Sequence, residues 1–129
     1  MVTELAASSG RLVLRTDAGQ NCHVEITTLG RTVELGVDTL PVVLERLLRG
    51  LRDDLVGPQA GTIDGVEVTG VLTLWERHAT VYAAQSGEIR TLFFQDADGS
   101  LIARLALEDE ERRRWIATLE GEVTTDRKL

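Results

Sequence analysis

The sequence contains one cysteine, Cys22, and therefore no internal disulfide. Secreted domains of this size commonly carry paired cysteines, so a lone thiol favours a reducing compartment, and we expect a cytoplasmic protein. No run approaches the roughly 18 apolar residues that a membrane-spanning helix needs, and residues 1–10 lack the basic start and apolar centre of a signal peptide. We therefore expect neither export nor membrane insertion.

Histidine is almost as scarce, because His23 and His78 are the two in the chain. Cys22 and His23 are adjacent in a predicted strand, where neighbouring side chains point to opposite faces and cannot share a metal ion. The segment Asp96-Ala97-Asp98-Gly99 resembles the start of a calcium loop, but it lacks the late glutamate of such a loop and predicts a hairpin turn. The sequence thus predicts no metal site.

Sequence motifs of catalysis are also absent. The chain has no serine nucleophile elbow, no glycine-rich phosphate loop and no pair of carboxylates placed on one helix face. The acids at 108–111 are consecutive, so in a helix they point in different directions rather than converge. We therefore expect a protein that is not an enzyme and that needs no cofactor.

Basic residues are outnumbered, with 14 arginines and lysines against 21 acids and a formal charge of −7. Such a balance repels polyphosphates at long range unless the positive groups share one face. The candidate phosphate contacts are Arg11, Arg15 and Arg31, at outward positions of predicted strands. Net charge therefore disfavours a nucleic-acid function, and these three residues form its candidate site.

The 129 residues, 43% of them apolar, are enough for one domain with its own core. Apolar and polar residues alternate in 11–16, 22–28 and 31–37, with short glycine-containing turns between, which predicts a three-stranded antiparallel meander. The period then lengthens to that of a helix. Asp38 is a suitable N-cap, leucines recur every three or four residues, and Gly57-Pro58 ends the predicted helix.

Alternation then returns and predicts four more strands, followed by a second helix from 108 to 121. The four predicted strands lie within 66–75, 79–85, 88–95 and 100–107. The predicted fold is α+β, with antiparallel meander sheets in the order βββα-ββββα and both helices packed on the sheet. We expect residues 1–10 to be a mobile N-terminal segment, 11–121 to form the single domain, and 122–129 to be a C-terminal tail.

The strands between 66 and 107 carry apolar residues at successive positions, so both faces of their sheet require cover. Two helices can cover one face of a seven-stranded sheet but hardly both. Either the sheet closes on itself or a second copy of the chain packs there, and we expect a homodimer. The residues that this argument places in the interface are Trp75, Tyr82, Leu92 and Phe94.

The order of elements over residues 11–120 resembles that of PC4-like and Whirly-like single-stranded nucleic-acid-binding proteins, in which a meander closed by a helix occurs twice. That resemblance implies an oligomer that lays single strands across a basic sheet surface. The segment 105–116 is similar to the last strand and helix of pleckstrin-homology domains. An acidic chain with groups of strands between helices also looks like a type III secretion chaperone, which dimerises and holds an unfolded protein.

These observations favour a non-catalytic binding or assembly domain that acts as a homodimer, with a ligand that no motif identifies. Two alternatives stay open. One is single-stranded nucleic-acid binding of the PC4-like or Whirly-like type across the first meander, and the other is a secretion-chaperone-like dimer that binds another protein. The expected partners are therefore a second copy, another protein or single-stranded nucleic acid.

Overall fold

The computed structural model describes residues 2–19, 21–52, 61–76 and 79–127. Within these ranges the chain forms two four-stranded antiparallel sheets, each followed by a helix, and a two-stranded hairpin between the first helix and the second large sheet. The predicted α+β class, with antiparallel meanders and two helices, is confirmed. The predicted strand count is wrong, because one strand precedes the first predicted strand and the hairpin precedes the second meander.

Each large sheet is built from four successive strands of the described chain. The first sheet contains β1 (Val2–Ala7), β2 (Gly10–Thr16), β3 (Asn21–Thr28) and β4 (Arg31–Thr39), and helix α1 spans Leu40–Arg52. The hairpin contains β5 (Gly61–Ile63) and β6 (Val66–Val68). The second sheet contains β7 (Gly70–Glu76), β8 (Thr80–Ser86), β9 (Ile89–Gln95) and β10 (Leu101–Leu107), and helix α2 spans Asp109–Arg127. Within each sheet, strands that are neighbours in space are neighbours in sequence.

Residues 2–7 form an edge strand rather than the mobile segment expected from the sequence. β1 pairs antiparallel with β2 along its whole length. Its inward side chains include Thr3 and Leu5, which are 4% and 2% exposed. The prediction is wrong because a threonine at an inward position interrupts the apolar alternation by which a half-buried strand is recognised.

Helix α1 packs one face against strands of both large sheets. Its buried residues are Leu40, Val43, Leu44, Leu47, Leu48, Gly50 and Leu51. A Cβ at Gly50 would lie 2.8 Å from Leu74 Cδ2, so this glycine permits the close approach of α1 to β7. Asp38, the predicted N-cap, lies in β4, and its carboxylate accepts the N–H of the next residue, Thr39, at 2.8 Å, which is not the bond that an N-cap makes to the first helical turn. The predicted helix end at Gly57-Pro58 lies outside the described residues.

Helix α2 begins after Glu108, whose N–H donates to the Glu111 carboxylate at 3.0 Å, as in one half of a capping box. The helix continues to residue 127, so the predicted end at Gly121 and the predicted tail from residue 122 are wrong for this range. Gly121 is exposed, and a glycine at such a helix position costs only about 1 kcal/mol relative to alanine. One glycine therefore does not end the helix.

One hydrophobic core joins both large sheets and both helices. From the second sheet it contains Trp75, Leu92 and Phe94, which are 3%, 0% and 0% exposed. The prediction that these three residues form an interface is wrong, because the side chains are buried within a single chain. A register shift between Thr73 and Trp75 changes the alternation of β7, and in β9 it is Phe93 that faces away from this core.

The β5–β6 hairpin covers part of the opposite face of the second sheet. Val68 of the hairpin packs with Ala84 and Phe93, and the half-buried Tyr82, the fourth predicted interface residue, lies against this cluster. Residues of the same chain therefore cover this part of the sheet, and a second copy is not needed for it. The sequence argument for a homodimer loses its premise, and the dimer stays a prediction.

Candidate functional site

Arg11 and Arg15 lie on the outer face of the first sheet, and each stands beside an acid. Arg11 Nη1 is 3.6 Å from Glu4 Oε1, and Arg15 Nε is 3.1 Å from Glu25 Oε2. Exposed ion pairs of this kind contribute at most about 1 kcal/mol to stability, but each acid offsets the positive charge that a phosphate would require. Two of the three predicted phosphate contacts are therefore already paired.

Further acids, rather than further arginines, lie near these two ion pairs. The imidazole of His23 lies 3.8 Å from the carboxylates of both Asp17 and Glu34. A hydrogen bond from the backbone N–H of Asn21 is the main reason why the pKa of Asp17 is held below its ordinary value, so this carboxylate is ionised at neutral pH. This face of the first sheet is therefore acidic and does not form a basic track.

Arg31, the third predicted phosphate contact, lies apart from the other two. It is opposite Thr28 in the ladder between β3 and β4, and Thr28 shares the inner side of β3 with the buried Ile26. Its side chain lines a groove beside β10. The structure therefore does not bring the three predicted arginines together.

Cys22 is a core residue and not a nucleophile. Its side chain is 1% exposed, and burial raises the pKa of the thiol to about 11, so the reactive thiolate is scarce at neutral pH. Within the ranges that the structure describes, no group of three His, Cys, Asp or Glu side chains could hold a metal ion. His78 lies outside those ranges.

Asp96 closes a hairpin turn between β9 and β10, as predicted. Its carboxylate accepts the N–H of Asp98 at 3.0 Å and the N–H of Ser100 at 2.9 Å. The Gly99 N–H donates to the Asp96 carbonyl at 3.0 Å. One carboxylate oxygen of Asp96, Oδ1, and its backbone carbonyl thus fix the backbone of the turn.

A polar pocket of about 450 Å³ lies at the C-terminal end of α1. Arg90 Nη1 donates to the Gly50 carbonyl, and Arg112 Nη1 donates to the Leu51 carbonyl at 2.7 Å. These guanidinium groups thus bind carbonyls of the last described turn of α1. The hydrogen bonds of Arg90 and Arg112 to α1 stabilise the fold, and this explains why both arginines lie in the pocket.

A second groove, of about 640 Å³, lies between α1 and the edge strand β7. Arg46 Nη1 donates to the Leu74 carbonyl at 3.3 Å and so covers the strand edge at that point. The indole N–H of the buried Trp75 has no hydrogen-bond partner in the described part of the chain. Three acids, Asp38, Glu45 and Glu76, and two arginines, Arg46 and Arg49, line this groove, so charges of both signs are present with one acid in excess.

A third groove, of about 590 Å³, lies between β10 and the turns of the first sheet, and we call it the β10 groove. Its floor is formed by residues 101–104 of β10. The turn residues Ser8 and Ser9 lie on one side, Leu29 belongs to the turn between β3 and β4, and Arg31 is the first residue of β4. Residues far apart in the sequence thus form one concave, largely apolar surface.

The backbone of β10 is open where it borders this groove. β10 is an edge strand, and at Ala106 its edge is closed by Ser9, whose hydroxyl donates to the Ala106 carbonyl at 2.7 Å and accepts the Ala106 N–H at 3.1 Å. The ladder is regular from Ala103 to Ala106, so the N–H and carbonyl of Arg104 point the same way as those of Ala106. Among the described strands, none pairs with β10 on this side.

Leu29 stands at the rim of the groove and is fully exposed. With Gly30 it forms the two-residue turn between β3 and β4, and its φ is 51°. Such turns favour Asn, Asp or Gly at their first position, because a positive φ is sterically costly for a bulky side chain. A large apolar side chain on a strained backbone in water suggests a binding role, and Leu-Gly in place of Asn-Gly is the sequence signal that could have identified it.

Comparison of the chain with protein-family models, with curated proteins and with solved structures found no match. The resemblance to PC4-like and Whirly-like proteins therefore stays a prediction from element order. Neither helix in the described ranges is long and apolar enough to cross a membrane.

Proposed function

We propose that this chain is a non-catalytic binding domain that takes up an extended peptide segment of another protein as an added strand along β10. The observation that carries the proposal is that the Arg104 N–H and carbonyl point towards the β10 groove without a strand partner in the described residues. An edge strand with open donors and acceptors is a template for pairing with another extended chain.

Two features favour this edge over the edge of β7. Arg46 covers the Leu74 carbonyl of β7, whereas the closing group at β10, Ser9, acts at Ala106 and leaves the backbone at Arg104 open. Half-buried apolar side chains of the groove floor add surface for burial, which the mixed charges of the β7 groove do not. An added strand would therefore gain both hydrogen bonds and apolar contact at β10.

Leu29 would supply an apolar anchor for the bound segment. Burial of a leucine side chain contributes roughly 1.5–3 kcal/mol, which is enough to offset a left-handed backbone that costs roughly 1–2 kcal/mol. In the free chain the Leu29 side chain is fully exposed, so its burial does not offset the cost of the left-handed backbone. A partner over the β10 groove would provide that compensation.

This proposal keeps the predicted non-catalytic binding function and changes the expected partner from a second copy to another protein. The homodimer, the nucleic-acid binder and the secretion-chaperone-like dimer stay predictions. The nucleic-acid alternative has less support because Arg11 and Arg15 are paired with Glu4 and Glu25. The proposal places the function in the cytoplasm, since the free thiol of Cys22 is compatible with a reducing compartment.

The experiment uses synthetic dodecapeptides chosen from a random displayed library by binding to the full chain. At saturating peptide, exchange of the Arg104 amide hydrogen should slow at least about tenfold, because the added strand would accept its hydrogen bond. Arg104→Pro removes this N–H but leaves the β9 ladder intact, and it should abolish binding. Leu29→Asn should weaken binding about fivefold or more while leaving the chain equally or more stable, because asparagine tolerates a positive φ.

The matched control is Arg113→Ala, an exposed arginine on α2 away from the groove lining, which should bind as the wild type does. Circular dichroism shows that each variant is folded before its binding is compared. The proposal fails if no peptide can be selected, or if the selected peptides bind Arg104→Pro as tightly as the wild type and leave amide exchange at Arg104 unchanged.

A further inference from the structure

Arg31 and Arg104 differ from the other arginines in the described part of the chain. The side chain of neither has a hydrogen-bond or ion-pair partner there. The other described arginine side chains that have a partner are Arg11, Arg15, Arg46, Arg49, Arg52, Arg90, Arg112, Arg113 and Arg114. Both exceptions line the β10 groove. In a chain of charge −7, acids to pair with are plentiful, so this coincidence points to a role for the groove.

The register of the strands explains why these two side chains lack a partner. Arg104 is opposite Phe93 on β9, and Arg31 is opposite Thr28 on β3, so neither has an acid across the ladder. Asp64 is the acid in the described lining of the groove, and it forms no ion pair with either arginine. The groove thus has an excess of one positive charge.

We infer that the β10 groove selects an acidic extended peptide whose carboxylates pair with Arg31 and Arg104, an inference that rests on the proposed function. Side chains alternate along a strand, so one row of the peptide would face the apolar floor and the other row would reach the guanidinium groups. A guanidinium group can bind a carboxylate through two parallel hydrogen bonds, which gives geometric selectivity as well as charge attraction.

The negative charge of the whole chain does not oppose this selection. At physiological ionic strength, exposed charges are screened over about 8 Å, so groups within the groove act more strongly than distant acids. Arg31 and Arg104 are both exposed and available to a ligand in the groove. Local charge therefore favours a carboxylate there, even though the protein is acidic.

The test uses three synthetic nonapeptides that have valine at alternate positions and glutamate, glutamine or lysine between the valines. The wild-type chain should bind the glutamate peptide most tightly and the lysine peptide least tightly. The advantage of glutamate over glutamine should be about two- to fivefold for each arginine engaged, which is the range of exposed ion pairs. Added salt should reduce that advantage but leave the binding of the glutamine peptide nearly unchanged.

The double variant Arg31→Glu/Arg104→Glu should reverse the order, so that the lysine peptide binds most tightly. The matched control is Arg113→Glu/Arg114→Glu, which changes the net charge by the same amount at exposed positions of α2 and should keep the wild-type order. If the control reverses the order as well, distant charge explains the selectivity and the inference fails.

The remaining outcomes separate this inference from the proposed function. If all three peptides slow exchange of the Arg104 amide and bind equally, strand addition stands and the acidic preference is wrong. If none of the three peptides slows exchange of the Arg104 amide, and the peptides selected from the library do not slow it either, both the inference and the proposed function are wrong. If exchange at Arg104 slows with increasing protein concentration in the absence of peptide, the groove binds a second copy of the chain, and this too overturns both.

Discussion

We expect Glu111→Gln to lower the free energy of unfolding by about 2–3 kcal/mol at pH 7. The Glu111 carboxylate is 7% exposed, and it accepts the N–H of Ser8 at 2.5 Å and the N–H of Glu108 at 3.0 Å. Glutamine keeps one acceptor oxygen, so one of these backbone donors would face an NH₂ group and lose its partner. An unpaired buried donor costs roughly 1–3 kcal/mol, and the loss of the negative charge weakens the hydrogen bond that remains.

Urea denaturation followed by circular dichroism measures this change. The midpoint should fall while the dependence on urea stays constant, because the extent of the buried surface does not change. The matched control is Glu110→Gln, the preceding residue, which is exposed and should change stability by no more than about 0.5 kcal/mol. Equal midpoints for Glu111→Gln, Glu110→Gln and the wild type would refute the reasoning.

The effect of Glu111 should also depend on pH. Burial raises the pKa of Glu111, but hydrogen bonds from Glu108 and Ser8 outweigh it, so the pKa lies below the ordinary value of 4.5. A carboxyl whose pKa is lowered by folding stabilises the fold above its unfolded pKa and loses that contribution as the pH falls. The difference between wild type and Glu111→Gln should therefore narrow below pH 4.5, and a constant difference down to pH 3 would contradict this origin.

Two further predictions concern the core. Phe94→Glu should unfold the chain, with a loss above about 4 kcal/mol, because it places a carboxylate at a position that is 0% exposed, whereas Val71→Glu, on the same sheet and 40% exposed, should stay folded by circular dichroism. A folded Phe94→Glu variant would show that this position is not buried. The Cys22 thiol, with its pKa raised to about 11 by burial, should react with a disulfide reagent at pH 8 far more slowly in the native chain than in urea. Equal rates in the two conditions would contradict its burial.

The sequence predicts helix α1 and strands β2 to β4 well, because each has one apolar side. The apolar spacing of 40–51 corresponds to one buried face of α1, and the alternation in 22–28 corresponds to β3. The hairpin β5–β6 was also predictable, since Asp64-Gly65 between apolar residues is a strong signal of a two-residue turn. The prediction of a strand within 66–75 does not use that signal.

The faces of the second sheet could not be predicted, for a physical reason. Both of its faces bury apolar side chains, so alternation no longer distinguishes the side that the helices cover from the side that the hairpin partly covers. Register shifts at 73–75 and 101–103 then change which residues share a side. For this reason the sequence alone places Trp75, Leu92 and Phe94 in an interface.

The candidate site could be predicted from the sequence even less well than the faces of the second sheet. Leu29 could be noticed in the sequence, because leucine is unusual at the first position of a two-residue turn. Arg31 and Arg104 could not be connected, since they lie in different sheets and the groove that joins them depends on how those sheets pack. That neither arginine side chain has a partner among the described residues is a property of the folded chain and not of any local pattern.

Contacts between β1 and α2 have a consequence for how the protein is made. The Trp115 indole donates to the Ala6 carbonyl at 2.8 Å, and Glu111 bonds to Ser8, so the first described strand is fixed by the last helix. A ribosome has to release the chain from β1 to α2 before these bonds can form. Until then the inner side of β1 lacks its cover, and the nascent chain is exposed to proteases and to adhesion with other nascent chains.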